Sequence, residues 1–397
     1  MKIVTPASEA DLIESIREAI DKAAPLQVQG NGSRAGLGRP ASGSTKLSMA
    51  ELSGITLLEP AEMVFSAKAG TPVAVVEAAL AEHGQALTFE PMDHRPLYGS
   101  SGEPTIGAVA AGNISGPRRI SAGAARDSLI GVRLVNGRGE LIKNGGRVMK
   151  NVTGLDLVKL LSGSWGTLGV LSEVTFKVLP KPANSTTLQL SGLADDTAIV
   201  ALCRAMTSPF EPTGVAHLPA GIAGDAARTL VRLEGFDTQL RYRFEQTALH
   251  LAEFGKAEEV AGPDSEALWR DIRDVVPLVE PSDRAIWKIS VAPTKGADIM
   301  RRFAEQHETR HFFDWSGGLI WVAIDPAEDG DAGAAALHEI LAEAGGHATL
   351  MRGPDELRAR IDVFQPLSAP MMKLTAGIKQ TFDPKGIFNP GFMYSGV

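Results

Sequence analysis

Cysteine occurs once in the 397 residues, at Cys203. A single thiol excludes an internal disulfide and any cysteine-built metal cluster. Long apolar runs are also missing, and none approaches the roughly 18–20 residues that span a bilayer. The opening MKIVTPASEADLIESI lacks the basic-then-apolar pattern of a secretory leader. Positive charge is not in surplus, with 39 Lys and Arg against 47 Asp and Glu. There is thus no general electrostatic case for nucleic acid or anionic lipid as a partner. The expected compartment is the cytoplasm, with any attachment to the inner face of the cytoplasmic membrane peripheral and made through partners. The eight histidines are scattered. His307 and His311 have helical metal spacing, but a helix end is expected between them and no carboxylate motif accompanies them. No metal is expected.

Glycine, by contrast, is plentiful and concentrated. Fifteen of the 42 glycines lie between Gly99 and Gly169. Nearly side-chain-free loops let backbone N–H groups approach a ligand, and at strand ends and helix starts they form anion cradles. A second cluster, Gly30-Asn31-Gly32-Ser33-Arg34-Ala35-Gly36-Leu37-Gly38, follows the short apolar run around Leu26 and Val28. A strand followed by a glycine loop with a hydroxyl and an arginine suits a pyrophosphate; a surface turn is the plainer alternative.

Ser8 is placed to cap a helix carrying Leu12, Ile13, Ile16, Ala19 and Ile20 at helical spacing, stopped by Pro25. Strands are expected at Met63–Ala67 and Ala86–Phe89, and between them a helix started by Thr71-Pro72 and closed by Gly84. Thr105 is placed to cap a helix of small residues, Ile106–Ala111, suited to close packing. Leu129–Ile142 reads as a β-hairpin, and Leu168–Val178 alternates like a half-buried strand. After Pro180-Lys181-Pro182 the composition changes, with amphipathic helices expected at Asp195–Thr207, Asp237–Phe254 and Asp264–Val275. Ala285–Met351 then follows the order β-α-β-β-α-β of a ferredoxin-like unit, and Thr186–Glu234 reads as a shorter version of it. The ending, a helix near Leu367–Thr381 and then FDPKGIFNPGFM, is apolar and turn-rich, so it is expected to pack back onto a domain.

Four segments in order resemble the FAD-linked oxidases of the vanillyl-alcohol-oxidase type, the PCMH-fold flavoproteins: GNGSRAGLG (30–38), EPTIGAVAAGNISGP (103–117), KNVTGLDLVKLLSGSWGTLGVLSEVTFKVLPKP (150–182) and IFNPGFM (387–393). The resemblance implies an α+β fold: a two-subdomain PCMH-type FAD-binding domain (1–182), a cap domain of antiparallel sheet with ferredoxin-like units (183–365), and a C-terminal segment returning to the FAD domain (366–397). It implies cofactor contacts from Gly30, Asn31, Gly32, Ser33 and Arg34, with Pro91, Thr105, Ile106, Gly107, Gly112, Ser115, Gly116, Gly169, Val170 and Asn389. Ser33 stands where some members attach FAD through histidine, so the FAD is expected to be non-covalent. Trp165 stands in place of the family's usual glutamate.

SGPRRISAGAARDSLIGVRLVNGRGE (115–140), VMKNVTGLDL (148–157) and GGHATLMRGP (345–354) are similar to the FAD-binding subunits of bacterial glycolate oxidase. That implies a homologous FAD subunit and an iron–sulfur subunit as partners, and glycolate oxidised to glyoxylate. The histidine-rich metal motif common in members acting on D-2-hydroxy acids is missing from the cap. Two alternatives therefore stay open: a non-catalytic flavin-binding relay or assembly subunit, and a stand-alone D-2-hydroxy-acid dehydrogenase.

Oxidising a 2-hydroxy acid takes a hydride acceptor, a base and a cation for the carboxylate. His347 and His94 are the candidate bases, each weighed against a structural histidine. Arg352 is the candidate carboxylate grip, because guanidinium binds carboxylates bidentately. Arg358 and Arg360 read as a solvated helix face, while Arg118, Arg119, Asp127 and Lys150 are divided between cofactor, fold and subunit contacts.

Overall fold

The computed structural model describes residues 2–40, 45–146, 155–325 and 330–397. Lys150 and all but the last three residues of the 148–157 motif lie outside them. The chain opens with a small parallel sheet of β1 (Lys2–Val4), β2 (Leu26–Gln29) and β3 (Thr45–Ser48), in the order β1-β3-β2. The helix Glu9–Asp21 covers it. Ser8 and Asp11 start that helix reciprocally, each side chain accepting the other's backbone N–H, a cap worth about 1 kcal/mol. Leu12, Ile16 and Ala19 point inward to Leu47, Val170 and Phe388.

A five-stranded antiparallel sheet follows, in the order β4-β5-β9-β7-β8. Its strands are β4 (Ile55–Glu59), β5 (Val64–Lys68), β7 (Leu129–Val135), β8 (Leu141–Gly145) and β9 (Val170–Lys177), and β7–β8 is the expected hairpin. The strand expected at 86–89 shrinks to β6 (Gln85–Ala86), paired with β10 (Leu179–Pro180). Leu87–Glu90 turns instead, with Glu90 N–H donating to the Leu87 carbonyl, and so buries Leu87 and Phe89. Thr71 does not cap its helix. Its hydroxyl donates to the Lys68 carbonyl, and the helix Val73–Ala81 starts from Pro72.

The remaining strands form one eight-stranded antiparallel sheet. They are β11 (Asn184–Ser191), β12 (Gly214–Leu218), β13 (Arg228–Gly235), β14 (Glu258–Ala261), β15 (Ala285–Ser290), β16 (Thr309–Asp314), β17 (Leu319–Ile324) and β18 (His347–Arg352), in the order β14-β11-β13-β12-β16-β17-β15-β18. Each half repeats the ferredoxin-like order, and β12 joins β16 at the middle. The first half is complete rather than shortened, because β14 supplies its fourth strand. Helices cover one face of the sheet through Ile199, Leu202, Phe303 and Leu337. The other face turns Leu230, Ile286, Phe312 and Trp321 toward the β4–β9 domain.

The helix Ala369–Phe382 brings the chain back, and Ile387–Asn389 runs alongside β2: Leu26 N–H donates to the Ile387 carbonyl at 2.7 Å and Asn389 N–H to the Leu26 carbonyl at 3.0 Å. Buried Lys379 fixes this return, its Nζ donating to Thr167 O, Phe388 O and Asp383 Oδ2. No helix among the described residues is long and apolar enough to cross a membrane.

Candidate functional site

β2 ends in the glycine loop, and the loop forms one wall of a cavity of about 340 Å³. Within this loop the backbone N–H groups of Asn31, Gly32, Ser33 and Arg34 make no hydrogen bond among the described residues. Four successive unpaired donors on one wall are a built anion cradle. Opposite them, the hydroxyl of Thr105 is buried and unpartnered, as is Nη2 of Arg34. A Cβ on Gly30 would lie 2.1 Å from the Thr105 hydroxyl, so these two walls meet only because residue 30 is glycine. Gly107 packs likewise against Ala69, where a Cβ would meet its carbonyl oxygen at 2.7 Å. The far end of the cavity is closed by Trp165, Gly166, Asn389 and Phe392. Asn389 ties three segments together: its Oδ1 accepts from Val28 N–H at 2.8 Å and its Nδ2 donates to the Trp165 carbonyl at 3.0 Å.

Of the expected cofactor residues, Gly30, Asn31, Gly32, Ser33, Arg34, Thr105, Gly107, Gly169, Val170 and Asn389 line this cavity. Pro91, Ile106, Gly112, Ser115 and Gly116 do not. Ile106 is core, its N–H donating to the Thr71 carbonyl. Gly112 lies under Trp165, where a Cβ would meet the ring at 2.7 Å. Pro91 is buried beside Glu90. Ser115 Oγ accepts from Ala125 N–H, and Gly116 lies at the contact with the cap, its carbonyl accepting from Trp315 Nε1.

The catalytic candidates are separated. His94 is buried, and its Nδ1 accepts from Arg34 Nε at 3.1 Å. The same Nδ1 lies 3.2 Å from the Met92 carbonyl, and burial together with the charges of Arg34 and Lys288 lowers the ring's pKa well below the ordinary value. Its Nδ1 is thus committed to protein partners, Arg34 and Met92. Arg352 spends its donors on the carbonyls of Arg284, Leu97, Val279 and Pro281. It straps strand β18 to neighbouring loops with four of its five N–H donors, so its first role is structural. His347 stands at the exposed start of β18, its pKa lowered by partial burial and by Lys288 and Arg119. Arg358 departs from the solvated-face reading: it is buried in the cavity wall, and its Nη1 donates to the Gly38 carbonyl. His311 pairs with Asp195 at 2.8 Å, while the His307 ring lies 4.7 Å from that of Phe303.

Beyond the cavity, the two large sheets are riveted by charge. Arg232 of β13 grips Glu90 with two bonds, at 2.9 and 2.8 Å, and Arg118 pairs with Glu234. Arg232 also lies over the Trp269 ring at 4.6 Å.

A cradle of unpaired N–H groups opposite an orphaned hydroxyl, on the wall of one cavity, is a site suited to the pyrophosphate of a dinucleotide. The match of residues 2–145 to the FAD binding domain family makes that dinucleotide FAD. The chain is 35% identical over 384 residues to glycolate oxidase subunit GlcE of Escherichia coli strain K12, covering 97% of each, and it belongs to that family of FAD-linked oxidoreductases. It is 23% identical over 420 residues to D-lactate dehydrogenase of Archaeoglobus fulgidus, covering 98% of this chain and 90% of that one. It is 42% identical over 84 residues to glycolate oxidase subunit GlcD of Bacillus subtilis, covering 21% of this chain and 18% of that one. Among solved structures it resembles p-cresol methylhydroxylase, with a TM-score of 0.74 at 15% identity over 99% of this chain and 88% of that one. It also resembles alkyldihydroxyacetonephosphate synthase, with a TM-score of 0.71 at 18% identity over 98% and 76%. The fold is therefore the α+β, PCMH-type architecture with an antiparallel cap.

Proposed function

We propose that this chain is the FAD-carrying subunit of a glycolate-oxidase-type complex, taking electrons from small 2-hydroxy acids and passing them to a homologous FAD subunit and an iron–sulfur subunit. Its place is the cytoplasm, peripheral to the inner membrane face through those partners. Its working divisions are residues 1–182 for FAD, 183–365 for the cap and 366–397 for the returning segment. The observation that carries the reading is the identity with GlcE across 97% of both chains, which takes in both the cradle and the eight-stranded sheet.

Bound FAD supplies a two-electron oxidant: glycolate gives up a hydride equivalent from its carbon and a proton from its hydroxyl, leaving glyoxylate. The chain's own work is to bind, orient and shield. The loop N–H groups and Arg34 take the pyrophosphate charge. Asn389 and Trp165 fix the cavity's far end. Attachment is non-covalent: Ser33 is the loop side chain nearest that role in sequence, and Cys203, whose thiol reaches the Ser316 carbonyl, does not line the cavity.

The test is an absorbance spectrum of the purified chain before and after anaerobic glycolate. The expected result is a flavin band that acid releases and glycolate bleaches. A chain without flavin even when made with its partners overturns the reading. A flavin that bleaches only when the partner subunits are added assigns the substrate step to them and leaves this chain the relay.

A further inference from the structure

The inner face of the cap sheet carries a second cluster that the cradle does not use. Lys288 on β15 is largely sheltered, and its Nζ makes no hydrogen bond or ion pair among the described residues. It sits between two indoles, 5.7 Å from the Trp315 ring and 5.7 Å from the Trp321 ring. Arg119, which comes from the FAD side, lies 4.6 Å over the same Trp315 ring. Its guanidinium also lacks a hydrogen-bonded acceptor among the described residues, and the opposite charge it feels is that of Asp127. The opposite charge that Lys288 feels is Asp314, whose Oδ1 is taken by Trp315 N–H at 2.7 Å.

Two cations in one sheltered place, each held by aromatic faces and neither hydrogen-bonded to a carboxylate, form an arrangement with an unmet need for an anion. Their repulsion shows in the lysine itself, whose pKa is pushed down to about 8, first by burial and then by Arg119. The spot is also reachable. Ser290 pairs with His347 and Lys288 with Thr349 on adjoining strands. Accessibility falls from exposed His347 to half-buried Thr349 and Lys288, so the approach runs inward along one face from the strand end. On the cavity side, Thr349 bridges to Phe364, whose ring packs edge-on against Trp165. Through Phe364 the strand that borders the cluster reaches Trp165 of the cavity wall.

We propose that Lys288 and Arg119 together form the binding site for the carboxylate of the small 2-hydroxy acid, built across the seam between cap and FAD domain, with His347 at its entrance. This rests on the reading of the chain as a 2-hydroxy-acid oxidoreductase and fills the place that Arg352, occupied by carbonyls, leaves open. Carboxylate oxygens complete the donors of both cations, and the neighbouring indoles exclude water from the ion pairs. No metal is needed to hold an acid so placed.

The experiment is calorimetric titration of the flavin-loaded full chain with oxalate, with ethylene glycol as the uncharged control, for the parent and for K288Q, K288R and R119Q. Oxalate binds the parent and ethylene glycol does not. K288Q and R119Q each weaken oxalate about tenfold or more, the worth of one charge-assisted bond, while K288R holds within a few-fold. Unchanged melting temperature and flavin content separate lost binding from lost folding. Oxalate bound equally by the parent, K288Q and R119Q overturns the site. The two readings also fail separately. If the parent oxidises glycolate while both variants bind oxalate and turn over as it does, the site falls and the oxidation stands. If the variants lose oxalate but the parent never reduces its flavin with glycolate, the site stands and the oxidation falls.

Discussion

Nδ1 of His94 accepts a hydrogen bond from Nε of Arg34 at 3.1 Å, with the histidine buried and the arginine half-buried. The histidine orients the guanidinium at the cavity wall, and that orientation leaves Nη2 of Arg34 without a protein partner. Burial lowers the Arg34 pKa to about 10, so it stays charged at neutral pH. His94→Leu should weaken FAD binding about tenfold, whereas His94→Gln, which keeps an acceptor, should lose much less. Flavin retention after dialysis measures it; equal retention in the two variants would remove the orienting role.

Gly30→Val should give a folded chain without flavin, because its Cβ would lie 2.1 Å from the Thr105 hydroxyl and force the cradle open. The ratio of flavin to protein absorbance reads this directly, with far-ultraviolet circular dichroism as the check on folding. A Gly30→Val protein with full flavin content would contradict the cradle geometry.

Glu90 accepts both nitrogens of the Arg232 fork and the backbone N–H of Arg118. Removing it leaves Glu234 as the one carboxylate paired with two sheltered arginines, so Glu90→Ala should cost about 3 kcal/mol in urea unfolding. Although burial opposes ionisation, the two arginines hold the Glu90 carboxyl below its ordinary 4.5. Its contribution is therefore present above that value and lost as pH falls through the lowered one. The parent's stability should drop on acidification below about pH 4.5, and Glu90→Ala should flatten that limb.

Asp314 has the opposite sign. Burial pushes its carboxyl up to about 7 from an ordinary 3.8. The folded chain then binds the proton more tightly than the unfolded one, so stability is lost as pH rises from about 4 to about 7. Asp314→Asn should remove this loss, and melting temperatures taken at pH 5 and pH 7.5 compare the two. A parent that gains stability over that interval relative to Asp314→Asn would refute the assignment.

Lys379→Met should free the chain's end, since one ammonium holds Thr167, Asp383 and Phe388 together. Faster proteolytic trimming of the last fifteen or so residues, together with flavin loss, is the expected outcome. Flavin retained on a trimmed chain would separate the tail from the cavity.

Much of this was legible in the sequence because glycine spacing is a backbone signal. The loop at 30–38 and the helix at 106–112 follow from residues that nothing larger can replace. The first half of the cap was harder to read. Its fourth strand, Glu258–Ala261, carries two glutamates and lies at the sheet edge, so it shows no apolar alternation. Arg358 looked solvated because DELRAR is a charged string; only the docking of that one-turn segment against Gly38 buries it. The roles of His94 and Arg352 depend on partners 60 and up to 255 residues away. Such contacts leave no local trace.

The two halves of the cap are the same six-element unit placed side by side, yet their inner faces have diverged. In the first, Arg232 points at the other domain and is locked to it by Glu90. In the second, the lysine on β15 is left with its charge unspent. A duplicated unit can divide labour in this way: one copy serves as the anchor that sets distance, and the other is free to vary its chemistry without loosening the joint. Changes of substrate among proteins of this build would then be expected to concentrate in the second copy, and changes of domain spacing in the first.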